Sequence, residues 1–273
     1  MKALRTVTIA LFIISAIVYF GVAAYYQIAL DRVPPQILCA SDILEGSVAD
    51  DESALLSGIT ARDNRDGDLT GQVMVQGVSR LLSANTARVT YVVFDSSKNM
   101  ASCTRTIRYT DYSKPVITLK EAPVYAAYPT QDSFKELHAA LGATDVRDGD
   151  LTDFIHIASQ NINDSLEGTY TANVQVTNSL GDCEFIPLYI VIDNDAQEAK
   201  VTLREYITYV EVGSPFNPRD YITTVQGRPY AGSDSNLRIE SDVNTETAGY
   251  YHVSYNYSAD GQIYTVYLAV VVR

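Results

Sequence analysis

The sequence predicts an all-β protein of three tandem β-sandwich domains behind an N-terminal transmembrane helix. Three observations lead there. Twenty uncharged, mostly apolar residues stand at 7–26. A ten-residue phrase, ARDNRDGDLT at 61–70, returns as ATDVRDGDLT at 143–152 with eight of ten positions identical and a spacing of 82. Apolar and polar residues alternate with period two late in each of three successive stretches, the mark of a half-buried antiparallel strand.

The first 32 residues form a separate object. Lys2 and Arg5 make a short basic start, and the uncharged run follows. Twenty helical residues rise about 30 Å, the thickness of the hydrocarbon core. Tyr19, Phe20, Tyr25 and Tyr26 fall at the distal end, where an aromatic belt lies. The positive-inside rule keeps the N-terminus cytoplasmic and puts everything after Asp31 outside. A cleaved signal peptide with a secreted product is the competing reading. Val22, Ala23 and Ala24 make a tolerable small-residue site for it. The length of the run and the bulky residues beyond that site favour retention. A lipoprotein reading through Cys39 fails, because Leu38 stands where a small residue is needed and Asp31 and Arg32 interrupt the apolar stretch.

A period of 82 is too long for a solenoid unit and suits a small domain with its own core. Domain one is placed at 33–112, domain two at 113–196 and domain three at 197–273. Domains one and two open with Pro before an apolar alternation, at Pro35 and Pro115; a strand's first residue needs no ladder donor. The late strand reads Ala87, Val89, Tyr91, Val93 in domain one. It reads Tyr170, Ala172, Val174, Val176 in domain two and Tyr251, Val253, Tyr255, Tyr257 in domain three. Gly168 and Gly249 stand two residues before Tyr170 and Tyr251, with Asn85 in that place in domain one, as if each strand were entered through a positive-φ turn. Turn residues at 95–99, 178–182 and 259–261 then lead into a last strand, so each domain ends in a hairpin. Helix signals are few: residues 133–141 and a short turn near 51–56.

Composition narrows the function. Charged residues are 19% of the chain and the net charge is −13, which argues against nucleic acid or an anionic lipid surface as a partner. There are 20 Tyr and no Trp, and ten of the Tyr lie between 206 and 267. Tyr is a strand former with an apolar body and a polar tip, so this density suits a β-protein before it suggests a binding face.

The order of motifs is Pro-x-Ile, Ala-x-Asp-x-x-Asp-Gly-Asp-Leu-Thr, Gly-Thr-Tyr and Asp-Ser-x-x-Asn-x-Ala. It resembles the bacterial immunoglobulin-like domain of pesticidal crystal proteins and bacterial surface proteins. Domain one carries the second and fourth motifs, the latter at 95–101, and has Asn85, Thr86, Ala87 in place of Gly-Thr-Tyr. Domain two has Gly168, Thr169, Tyr170, with Asn178 where the family has Asp. Domain three lacks the Asp-Gly-Asp-Leu-Thr and is the most divergent. The resemblance implies tandem immunoglobulin-like sandwiches used as spacer or adhesive modules, with no enzymatic activity and no fixed ligand.

Asp63, Asp66 and Asp68, with Asp145, Asp148 and Asp150, are the chemically loaded clusters. Calcium takes six to eight oxygens, and three Asp within six residues supply part of such a shell. Asp95 adds another if its hairpin reaches the same end. The competing reading is a structural turn: Asp-Gly is a common turn pair, and Arg65 and Arg147 could pair with the carboxylates instead. The structural turn is the preferred reading and no cofactor is expected, with calcium at these loops as the alternative.

Cys39 and Cys103 lie early in the first and last strands of domain one. Those strands are expected side by side and parallel, so a disulfide between the two Cys is the expectation in an external location, with two buried free thiols as the alternative. Cys183 has no partner in its own domain. His138, His156 and His252 are scattered without ligand spacing, and no nucleophile, phosphate-loop or zinc motif is present.

The expectation is a non-enzymatic, single-pass bacterial surface protein. Its domains would present, space or adhere, with a protein or carbohydrate ligand. With three domains end to end on an N-terminal anchor, domain three stands farthest out. Tyr206, Tyr209, Tyr221, Tyr230, Tyr250 and Tyr264 are its candidate contact residues. An envelope-assembly subunit docked to a partner membrane protein and a calcium-stiffened rod remain the alternatives.

Overall fold

The computed structural model describes residues 2–29, 31–128, 132–194 and 199–273. These form two compact units, Met1–Asp111 and Tyr112–Arg273. The expected boundary at 196/197 lies outside the described residues.

In the first unit, helix α1 runs Lys2–Ala29. Its 4–26 stretch is long and apolar enough to cross a membrane, with mean hydropathy 2.4 and none of it covered by the rest of the protein. The sandwich that follows has seven strands: β1 (Gln36–Cys39), β2 (Ile43–Gly46), β3 (Ile59–Asp63), β4 (Gly67–Asp68), β5 (Met74–Val78), β6 (Thr86–Phe94) and β7 (Met100–Tyr109). One sheet is ordered β1-β3-β4 and the other β2-β7-β6-β5. The chain therefore changes sheets between β1 and β2, and β2 alone runs parallel to β7. Ala87, Val89, Tyr91 and Val93 all face the core, as their alternation requires.

The second unit repeats this plan twice. Its first sandwich comprises β8 (Val116–Leu119), β9 (Val124–Ala126), β10 (Leu141–Asp145), β11 (Gly149–Asp150), β12 (His156–Gln160), β13 (Gly168–Thr177) and β14 (Cys183–Asp193). Its second comprises β15 (Val201–Leu203), β16 (Ile207–Val210), β17 (Ile222–Val225), β18 (Arg228–Pro229), β19 (Leu237–Ser241), β20 (Gly249–Ala259) and β21 (Gln262–Val272). The sheets are β8-β10-β11 with β9-β14-β13-β12, and β15-β17-β18 with β16-β21-β20-β19. All three sandwiches share the order of the first, and the fold is immunoglobulin-like. The bulge between Val75 and Gly77 recurs between Ile157 and Ser159.

Local chemistry explains the short elements. Helix α2 (Glu52–Leu55) starts where the Asp51 carboxylate accepts the Ala54 N–H, and helix α3 (Ser133–Ala140) where Asp132 accepts that of Lys135. The carbonyls of Leu55 and Ser57 are taken by Arg105, which is buried on β7, donates also to Tyr91 Oη at 3.1 Å, and sits over that ring.

Gly168 and Gly249 open β13 and β20. Gly168 has the expected positive φ, 159°, a conformation that residues with a side chain rarely adopt, whereas Gly249 has no positive φ and departs from the expected turn. The Tyr two residues on folds back over each glycine, and a Cβ would meet the ring at 3.4–3.7 Å. Tyr170 Oη then donates to Leu166 O at 2.8 Å and Tyr251 Oη to Thr247 O at 3.0 Å. This is the tyrosine corner of immunoglobulin-like sandwiches.

The two sandwiches of the second unit do not follow one another end to end. They laminate through the outer faces of β14 and of β20–β21. The Tyr189 ring lies 4.3 Å from His252 and 4.9 Å from Tyr267, Phe185 meets Tyr250 edge-on, and a His252 ring nitrogen lies 3.0 Å from Pro187 O. Tyr209 Oη accepts the Ile117 N–H at 2.7 Å, and Tyr206 N donates to Leu119 O. Domain three stands beside domain two, so the expected end-to-end arrangement does not hold within residues 112–273.

Candidate functional site

The repeated phrase builds the same loop in both domains. Asp63 Oδ1 accepts the N–H groups of Arg65 and Asp66, and Asp145 Oδ1 those of Arg147 and Asp148. Gly67 and Gly149 then take φ of 76° and 74°, which only glycine adopts without strain. Asp68 and Asp150 accept the N–H of Thr70 and Thr152 at 2.9 Å, and those hydroxyls accept the N–H of Ala61 and Ala143. The Thr70 and Thr152 hydrogen bonds, hydroxyl first and then N–H, hold the Asp68 and Asp150 carboxyls below the usual range.

Asp66 and Asp148 clamp the loop to the neighbouring hairpin. Asp66 accepts Ser96 N and Oγ at 2.7 and 2.9 Å; Asp148 accepts Ser179 N and Oγ at 2.6 and 2.7 Å. The three Asp, the Gly and the Thr of the phrase thus each have a structural duty, which accounts for their recurrence in the two domains. Asp66, Asp68, Asp148 and Asp150 are committed to these bonds and do not converge with Asp63 or Asp145 on one point.

A different trio does converge. Among the described residues, Asp31, Asp63 and Asp95 are the one group of three or more carboxylate, thiol or imidazole side chains with ligand atoms within 4.8 Å of one another. Asp31 comes from the segment after α1, Asp63 from the end of β3 and Asp95 from the β6–β7 turn. Asp31 and Asp95 are buried and Asp63 is half-buried. Asp95 is fixed by Asn99, whose N–H and side-chain amide donate to its two oxygens at 2.7 Å; the same amide reaches Asp31 O at 3.1 Å. Asp31 Oδ1 accepts the Val33 N–H at 3.0 Å. Asp31 Oδ2 and Asp63 Oδ2 are shut off from solvent and accept no hydrogen bond. The N–H groups of Asp66 and then Arg65 hold the Asp63 carboxyl below the usual range, so it is charged.

Domain two closes the corresponding place with neutral groups. Asn178 stands where domain one has Asp95, and its amide donates to Asp145 Oδ2 at 3.1 Å and to Tyr112 Oη at 3.2 Å. Tyr112 in turn donates to Asp182 at 2.6 Å. Burial, then the Asp182 carboxylate, raises the phenol's pKa and keeps it protonated.

The two Cys of domain one meet, by a different route from the one expected. Cys39 is on β1, which pairs with β3, while Cys103 is on β7 in the opposite sheet. Their Sγ atoms lie 3.1 Å apart across the sandwich as free thiols. The parallel neighbour of β7 is β2, because the chain has changed sheets by then. Burial, then the Cys39 sulfur, pushes the Cys103 thiol up to about 12.

The six tyrosines do not make an outward face. Tyr206 and Tyr221 are core residues, with Tyr206 Oη accepting the Leu203 N–H and Tyr221 Oη accepting the Thr208 hydroxyl. Tyr209 serves the junction with domain two. Tyr230 is half-buried and accepts from Arg219 at 2.6 Å, and Tyr264 is half-buried under Lys200. Tyr250 alone is exposed, and its ring packs edge-on against Phe185. Sequence reasoning missed three other residues. Asp31, Arg105 and Glu184 are buried charges with no local motif around them, so only the tertiary fold reveals them.

No model of a known protein family matches the chain, and no curated protein matches it. Among solved structures, the CBM51-2 and INT domains of Clostridium perfringens ZmpB in complex with GlcNAc are similar over 56% of this chain, at 19% identity and TM-score 0.24. This chain spans about a quarter of that one, 26%. A lipoprotein from Bacteroides thetaiotaomicron is similar over 86% of this chain and 98% of its own, at 10% identity and TM-score 0.21. Human CDH23 EC21-23 is similar over 88% of this chain and 100% of its own, at 12% identity and TM-score 0.22. Likenesses at these scores carry nothing about function to this chain.

Proposed function

We propose that this is a membrane-tethered, non-enzymatic bacterial surface protein of the immunoglobulin-like type, which presents an adhesive or ligand-binding surface outside the cell. The observation that carries the reading is α1. Its apolar 4–26 stretch is covered by no part of the protein, yet immunoglobulin-like sandwiches with covered cores follow it. A mostly apolar stretch of 23 residues left in water would be strongly unfavourable, and a bilayer of about 30 Å removes that cost. Lys2 and Arg5 on the N-terminal side then set the sandwiches outside. A protein or carbohydrate ligand fits a chain of this acidity better than nucleic acid does.

The test is expression of the full chain in a bacterium. Alkaline extraction of membranes, intact mass and protease treatment of whole cells are then read together. The expected result is a membrane-retained chain that keeps residues 1–26 and loses its sandwiches to external protease. A soluble chain starting near residue 25 would overturn the tether and leave a secreted protein. Ligand mapping calls for surface substitutions, because deleting residues 197–273 would uncover Phe185 and Tyr189.

A further inference from the structure

We propose that Asp31, Asp63 and Asp95 hold a hard divalent cation of calcium's size, which fastens the segment leaving α1 to the first sandwich. The donor set is the first argument. One carboxylate oxygen from each of the three lies within 4.8 Å of the others. Oxygens at 2.3–2.6 Å from a shared Ca²⁺ span at most about 5 Å, so three oxygens no farther apart than this admit one such ion, whereas Mg²⁺ keeps several waters and is seldom held in an all-protein cage. An all-oxygen set without Cys or His suits a hard cation, and water completes the shell.

The unpartnered oxygens are the second argument. The Asp31 side chain is 5% exposed, and its Oδ2 accepts no hydrogen bond. Asp63 Oδ2 is likewise buried without a donor, while its Oδ1 is anchored by two N–H groups that fix the orientation of the carboxylate. Buried polar atoms are almost always paired, and two orphaned carboxylate oxygens in one cluster require a positive partner. Arg65 Nε lies 3.8 Å from Asp31 Oδ2, beyond hydrogen-bond distance, and that side chain is half exposed. One partly solvated positive charge does not balance three carboxylates.

Domain two supplies the internal comparison. Where Asp95 faces Asp63, Asn178 faces Asp145 and gives it an amide hydrogen. The same loop therefore closes by itself when one carboxylate is an amide, and stays electrostatically open when it is not. The inference does not depend on the fate of α1, because Asp31 lies beyond any cleavage at 24.

Calorimetric titration of CaCl₂ into the chelator-stripped full chain in detergent tests this, with MgCl₂ in parallel. The expected result is a single calcium site, with magnesium weaker. Asp95→Asn, which copies domain two, and Asp31→Asn should each weaken it by about tenfold or more, since charge count sets affinity. Asp148→Asn in domain two should leave it unchanged. Unfolding curves confirm that each variant is folded; if one is not, the other decides. No calcium heat with the wild-type chain would overturn the proposal. So would wild-type affinity in both Asp95→Asn and Asp31→Asn.

Discussion

Asn178 Nδ2 donates to Asp145 Oδ2 over 3.1 Å, and so satisfies in domain two the oxygen that Asp63 leaves without a donor in domain one. The two loops are nearly identical in sequence. Their electrostatics differ because of one residue on the neighbouring hairpin and one on the entering segment.

Asn178→Asp should therefore recreate the unbalanced carboxylates of domain one in domain two. Two like charges about 4 Å apart cost about 4 kcal/mol at an effective dielectric near 20. The loss of the amide hydrogen bond adds to this. Urea unfolding of the full chain should show the transition of residues 112–273 moved to lower denaturant. Asn178→Ser, which removes the amide without adding charge, should cost about 1–3 kcal/mol. Equal costs for the two substitutions would mean that charge is irrelevant at this site.

Cys39 and Cys103 should be found joined when the protein matures in an oxidising compartment. A loop of 64 residues closed by that bond stabilises the domain by about 4 kcal/mol in the chain-entropy account. With the Cys103 thiol pushed up to about 12, little thiolate exists near neutral pH, and uncatalysed oxidation should be slow. Non-reducing peptide mapping is the check, and recovery of both residues alkylated in native protein from that compartment would exclude the bond.

Much of the fold was legible in the sequence because antiparallel strands advertise themselves by period two. Ala87 to Val93 and Ala172 to Val176 alternate into their cores as read, and domain three kept its strands legible through Tyr251, Val253, Tyr255 and Tyr257 without the Asp-Gly-Asp phrase. Alternation fails where both faces are apolar. The 263–272 stretch of β21 is almost unbroken in apolar residues, and nothing in it says that Tyr267 turns toward Tyr189 of another domain. The tyrosines misled for the same reason: a β-strand Tyr looks alike in a core, a junction or a binding face. Asp31 read only as the end of an apolar run, since its partners are 32 and 64 residues away.

Glu184 gives a pH dependence with a defined sign. It is buried beside Arg273 at 3.4 Å, and its Oε1 has no donor. Burial raises its pKa above 4.5 against the pull of Arg273 and Lys114. The folded chain thus holds this proton more tightly than the unfolded one. Stability contributed here is present below about pH 4.5 and declines as pH rises through the folded value. Asp63, Asp68 and Asp150 act oppositely. Their lowered values contribute stability above about pH 3.8 that is lost as pH falls further. Glu184→Gln should flatten the profile on the alkaline side of 4.5 and stabilise residues 112–273 at pH 7. An unchanged profile by thermal unfolding across pH 4 to 8 would assign the decline to other groups.

The lamination of domains two and three rests on a small aromatic cluster, and its strength is measurable. Tyr189 lies 4.3 Å from His252 in a tilted contact, and the His252 ring nitrogen reaches Pro187 O at 3.0 Å. Offset aromatic pairs add about 0.5–1.5 kcal/mol beyond the area they cover. Neither side chain is needed within its own sandwich, since both stand on outer faces, so each can be truncated without opening a core. A double-mutant cycle of Tyr189→Ala and His252→Ala should give a coupling near 1 kcal/mol, well above the about 0.3–0.5 kcal/mol by which distant sites depart from additivity. The double variant should also raise amide exchange along β14 and β21 together, because the sheets protect one another. Additive losses with unchanged exchange would mean that the two sandwiches touch at this face without holding each other there.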